Sequence, residues 1–103
     1  MSQNPFPKLI QELPAFAGPF DANQLIADGC KVLFASYPAG TKIEPHTHPT
    51  ENCGVITAGE LILVSSGKES CYGPGDWNYL EAEQKHAARF EIETSEIEFW
   101  FDA

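Results

Sequence analysis

Positive charge is scarce in this chain. Against 15 Asp and Glu stand only 6 Lys and Arg, a formal net charge of −9. Such a surface repels a phosphate backbone, and no Lys/Arg cluster offers a local exception, which argues against nucleic acid as a partner. Long apolar runs are missing too, since none approaches the ~20 residues that cross a bilayer. The opening MSQNPFPKLIQELPAF has no basic stretch followed by an apolar run and no signal-peptidase site. The expectation is a cytoplasmic protein with no membrane partner. Cys30, Cys53 and Cys71 form no close pair and cannot all be bridged within one chain, so they read as three reduced thiols. There is no Gly-x-Ser-x-Gly, no phosphate-cradling glycine loop ahead of a helix and no Cys-x-x-Cys, which removes the chemistries those motifs carry. No amphipathic helical stretch of useful length occurs either.

What is present suits one small domain. The 103 residues are 43% hydrophobic and 12% aromatic, enough to collapse around a modest core. Residues 1–20 carry Pro5, Pro7, Pro14 and Pro19 among Phe6, Leu9, Ile10, Phe16 and Phe20. The prolines exclude a long helix and the apolar residues argue against a free tail. This reads as an arm, with a short strand near Leu9–Ile10, packed on the domain or on a partner. Residues 21–103 form the domain proper. There, short β-prone runs alternate with turn signals: Asp28-Gly29, Pro38-Ala39-Gly40, Ala58-Gly59, Ser65–Lys68 and Gly73–Asp76. The pattern predicts an all-β fold of about eight to ten strands, a sandwich or small barrel.

The stretch GTKIEPHTHPTENCGVITAG, residues 40–59, holds two of the three histidines. His46 and His48 stand two apart, a spacing that points both side chains the same way on a strand and opposite ways on a helix. Pro45 and Pro49 push Glu44 and His48 towards extended conformations, and Thr47 is β-branched. Two imidazoles from one extended segment are what a transition metal requires. Glu44 shares their parity and is the candidate catalytic residue, a proton acceptor or a partner to a ligand.

These residues resemble the small single-domain cupins, whose fold is a double-stranded β-helix, or jelly-roll barrel. Gly40, His46-Thr47-His48, Asn52 and Gly59 keep the spacing of the first cupin motif, with Asn where the family usually has Glu. Pro74-Gly75-Asp76 followed by His86 resembles the second motif. Its Pro-x-Gly and Asn positions are filled by Glu81, Glu83 and Phe90. The resemblance spans roughly Val32 to Phe101 and implies one divalent transition metal ion (Zn, Ni, Fe, Mn or Cu) on His46, His48, His86 and a fourth ligand. That fourth ligand is Asn52 in frame, or Glu51 if a one-residue bulge turns it inward. Three imidazoles and an amide would leave the ion's 2+ charge uncompensated, weakening affinity and acidifying a bound water.

Cys53 is expected to be a buried structural thiol, and Tyr72, Trp77, Tyr79 and Trp100 to be packing residues. The acidic residues of Glu91–Glu98 read as a solvated strand face. Strands Val32–Tyr37 and Leu61–Val64 are apolar on both sides, which predicts a homodimer with sheet surface packed across a twofold axis. A metal-dependent enzyme acting on a small polar organic substrate, as oxygenase, isomerase or lyase, is the leading functional expectation. A non-catalytic module that binds metal or a small molecule is the alternative.

Overall fold

The computed structural model describes residues 4–102. Nine strands follow one turn of helix: α1 (Lys8–Gln11), β1 (Asp21–Ala27), β2 (Cys30–Tyr37), β3 (Thr41–His46), β4 (Glu51–Ala58), β5 (Leu61–Ser65), β6 (Lys68–Tyr72), β7 (Trp77–Leu80), β8 (His86–Phe90) and β9 (Thr94–Phe101). A five-stranded sheet, ordered β1-β2-β9-β4-β7, faces a four-stranded sheet ordered β3-β8-β5-β6. Every pairing is antiparallel. The all-β, jelly-roll expectation holds.

The turns follow from their residues. Asp28-Gly29 joins β1 to β2 and Ser66-Gly67 joins β5 to β6, with both glycines and Ser66 at positive φ, as tight hairpins demand. Gly40 and Gly59, the two outer glycines of the histidine motif, have φ of 88° and 86°. At Gly59 the backbone also passes so close to β9 that a Cβ would stand 2.4 Å from the Glu93 carbonyl oxygen.

Between the sheets, Leu33, Ile56 and Phe90 are fully buried, with Leu61, Leu63 and Leu80 around them. Phe90 stacks on Tyr37 with ring centroids 4.1 Å apart and an interplanar angle of 7°. Truncating such a ring to Ala costs about 3–5 kcal/mol.

The proline-rich segment does not form a strand at Leu9–Ile10. Those residues lie in α1, because Pro7 immediately precedes it and its carbonyl accepts from the amides of Ile10 (2.9 Å) and Gln11 (3.1 Å). A proline at the start of a helix loses no needed donor. Sheet-like pairing comes later in the arm, where Ala15 bridges Asn23 of β1. The Asn23 side-chain amide fastens the arm by donating to the Leu13 carbonyl at 2.9 Å. Phe6 is buried edge-on against Phe34, while Phe16 and Phe20 pack towards the barrel interior.

The acidic run on β9 is not a solvated face. Glu96 is 5% exposed and Glu98 is half-buried. The apolar residues that alternate with them, Ile97 and Phe99, face outward from the barrel. Trp77 (58% exposed) and Tyr79 (55%) on β7 also point outward instead of packing in the core. The physical reason is that alternation shows which residues share a face and not which face is inside, and here the apolar residues of β7 and β9 share the outer one. Of the four aromatics expected to pack, Tyr72 lies against the core and Trp100 lines the interior.

Candidate metal centre

His46 and His86 are direct partners across the β3–β8 pair. Cross-strand partners carry their side chains side by side on one face, which is why residues forty positions apart in the sequence meet here. The β3 ladder shifts between Ile43 and His46. Pro45 lies inside that gap, and a residue with no N–H cannot continue the ladder. The bulge changes the inward parity from odd (Thr41, Ile43) to even (His46), so Glu44 leaves the inward face. Its side chain is exposed at the rim of the cavity. What it gives the site is its backbone carbonyl, which accepts from His46 Nδ1 at 2.8 Å.

The imidazoles of His46, His48 and His86 have ring centroids 4.3–4.8 Å apart, and one nitrogen from each lies within 4.8 Å of the others. His48 follows the end of β3 and is held three ways. The Asn52 amide meets its Nδ1 at 2.9 Å, Trp100 lies against its face at 4.9 Å between centroids, and its carbonyl accepts from the Glu83 amide at 2.7 Å. His86 is 5% exposed and its Nδ1 donates to the Gln84 carbonyl at 2.9 Å.

A carbonyl can only accept, so His46 and His86 each carry their proton on Nδ1 and leave Nε2 as a bare lone pair. His46 Nε2 and His48 Nε2 are 2.9 Å apart. Two nitrogens each ~2.1 Å from one ion, at about a right angle, stand ~3 Å apart. Donor type and spacing fit a divalent transition metal, and the tautomers of His46 and His86 do too. Burial, then the neighbouring imidazoles of His86 and His46, hold His48 down to about 4, and burial likewise lowers His86. Both rings are therefore neutral, the form that binds metal, at ordinary pH.

Asn52 is buried and inward, as strand parity predicts, but both ends of its amide are engaged. Its oxygen accepts from the Thr50 hydroxyl at 2.6 Å and its nitrogen bonds His48. The amide is set on an imidazole, not on the point where the three rings converge. Glu51 lies on the outer face and accepts from the Tyr79 hydroxyl. The β4 register runs without a shift through Glu51 and Asn52, so no bulge turns Glu51 inward. Cys53, next along, is outward and half-buried, with its thiol pushed up chiefly by burial.

The imidazoles occupy one end of a cavity of about 500 Å³ between the sheets. Phe16, Phe20, Ile43, Leu61 and Leu63 supply apolar wall. Four polar side chains within it escape sequence reasoning: Tyr37, Asn78, Glu96 and Glu98. The Asn78 amide donates to Glu96 at 3.0 Å, while Glu98 accepts from the Tyr37 hydroxyl and from Trp100 Nε1, the latter at 3.1 Å. Burial, then the neighbouring Glu98 charge, raises Glu96 well above the carboxylate range, and burial raises Glu98. The sequence signal for them was the even parity they share with Trp100 on β9.

A family profile described as the cupin domain matches residues 33–99. Among solved structures, a cupin superfamily protein from Desulfitobacterium hafniense is 14% identical with a TM-score of 0.77, covering 100% of this chain and 95% of that one. A cupin 2 conserved barrel domain protein from Salinispora arenicola is 19% identical with a TM-score of 0.75, covering 100% and 90%. The DMSP lyase DddQ from Ruegeria pomeroyi is 24% identical with a TM-score of 0.72, covering 90% of this chain and 53% of that one. No curated protein matches the sequence.

Proposed function

This chain belongs to the cupin family, and from that premise we propose that it is a metal-dependent enzyme acting on a small organic molecule with polar oxygens. His46, His48 and His86 hold one divalent transition metal ion, and Asn52 positions His48 rather than serving as a fourth ligand. The observation that carries this reading is the pair of Nδ1–H···O=C bonds, from His46 to Glu44 and from His86 to Gln84, which turn two unprotonated Nε2 atoms towards a common point. A bound ion would supply Lewis acidity to a substrate's oxygens. Three protein ligands leave positions open for that substrate, as catalytic sites do. The chain's own contribution is a cavity whose aromatic and aliphatic walls orient the organic part. Likeness to a DMSP lyase supports keeping lyase chemistry beside isomerisation and oxygenation.

Two chains pair through the outer face of the five-stranded sheet. Support comes from Val55, Ile97, Phe99, Trp77, Tyr79 and Phe101, which form an apolar surface with Trp77 and Tyr79 more than half exposed. Three unbridged thiols support a reducing, cytoplasmic setting.

The test is elemental analysis of protein purified without an affinity tag. Wild type should carry a transition metal near one per chain, and His46→Ala should carry almost none. Equal and negligible metal in both would overturn the reading.

A further inference from the structure

The cavity has a second pole. Besides the imidazoles, its lining includes a hydrogen-bonded set drawn from three strands: Tyr37 of β2, Asn78 of β7, and Glu96, Glu98 and Trp100 of β9. Glu96 and Glu98 stand two apart on one face of β9, and burial, then the neighbouring Glu98 charge, raises Glu96 well above the carboxylate range. Among the described residues no Lys or Arg pairs with either; both side-chain ion pairs belong to Arg89. A buried charge with no cation beside it is costly to keep for structure alone.

The two carboxyls are not equivalent. Glu96 is sealed in a niche that exists because residue 54 is glycine, where a Cβ would stand 2.3 Å from Glu96 Oε2. Glu98 is the more exposed of the two residues and accepts from the Tyr37 hydroxyl and from Trp100 Nε1. Trp100, whose N–H fixes Glu98, lies with its ring against His48. On one strand face, residues two apart are separated by ~6.8 Å. The acceptor is thus set one inward step along β9 from the side chain that touches the imidazole cluster.

We propose that Glu98, held by Tyr37 and Trp100, is the proton-transfer residue of this cavity, acting on a small carbonyl compound whose oxygens face the histidines. This rests on the metal-enzyme reading above and supplies what Glu44, exposed at the rim, does not. In the step, a C–H bond next to the oxo group breaks and its proton bonds to a Glu98 carboxylate oxygen. The electron pair stays on the substrate as an enolate. Glu98 leaves the step as a neutral acid, and the reverse transfer returns a proton or a solvent-derived deuteron. No oxidant or reductant is needed.

The probe is 2-oxobutyrate in D₂O with the metal-loaded protein, following loss of the C3 proton signal by NMR. Wild type should exchange well above a control of the same metal without protein. Glu98→Gln should lose about 100-fold or more of that rate, while elemental analysis shows its metal content unchanged. If metal-loaded wild type does not exchange, or Glu98→Gln exchanges as fast, this inference falls alone. If wild type takes up no metal, the underlying reading falls and takes this one with it.

Discussion

Asn52 and His48 are joined through the amide and Nδ1 at 2.9 Å, and the direction of that bond settles which imidazole nitrogen carries a proton. With the Thr50 hydroxyl donating to the Asn52 oxygen, the amide nitrogen donates to His48 Nδ1. His48 then keeps its proton on Nε2 and donates it to His46. Metal binding requires that proton to move to Nδ1 and the amide to turn its oxygen round. Asn52→Asp, which can only accept, should favour the metal-ready tautomer and tighten metal affinity. Asn52→Ala should weaken it by about 10–100-fold. Competition against a chromophoric chelator measures both, and equal affinity in all three proteins would remove Asn52 from any role at the centre.

Glycine at position 54 makes room for a carboxyl group. Gly54→Ala should destabilise the fold by about 1–3 kcal/mol, because the added methyl collides with Glu96 Oε2 and displaces it from Asn78. Adding Glu96→Ala should recover much of the loss. Urea unfolding of both single variants and the double would show the coupling; strict additivity would mean that the two residues do not share the niche.

Glu96 also sets a pH dependence. Its folded value lies above its unfolded one, so the native chain holds a proton that the unfolded chain releases. Its stabilising contribution is complete below about pH 4.3 and is lost as pH rises through the folded value. His48 runs the other way, its contribution fading as pH falls from about 6.5 to about 4. Glu96→Gln keeps an acceptor for the Asn78 amide without the ionisation. Wild type should therefore lose stability relative to Glu96→Gln as pH rises above about 4.3, with the His48 slope cancelling in the difference. Melting curves that stay parallel across that range would refute it.

The outward apolar face predicts assembly. Light scattering after size exclusion should give twice the 11.3 kDa chain mass for wild type. A Trp77→Lys, Phe99→Lys double variant should elute at the single-chain mass with its circular dichroism unchanged. A monomeric wild type would remove the pairing.

The sequence revealed the turns, the all-β class and the convergence of His46, His48 and His86, because glycine frames and the two-residue repeat of a strand act locally. It misread β9, and the cause is physical. Alternation reports that Glu96 and Glu98 share a face opposite Ile97 and Phe99, but not which face is inside. An apolar face turned outward and a polar face lining a cavity invert the usual assignment. That Glu44 reaches the cavity only at its exposed rim was not legible for a related reason, since counting by twos from His46 crosses the shift at Pro45. Leu9–Ile10 carries too few residues for any period to separate a helical turn from a strand.

Phe16 and Phe20 belong to the segment before the first strand, yet both form part of the chamber wall. Cut at Asp21, the protein would lose two aromatic panels of that wall. The proline-rich stretch is thus part of the vessel, and trimming it as an expendable tail would change the surroundings in which the chemistry takes place.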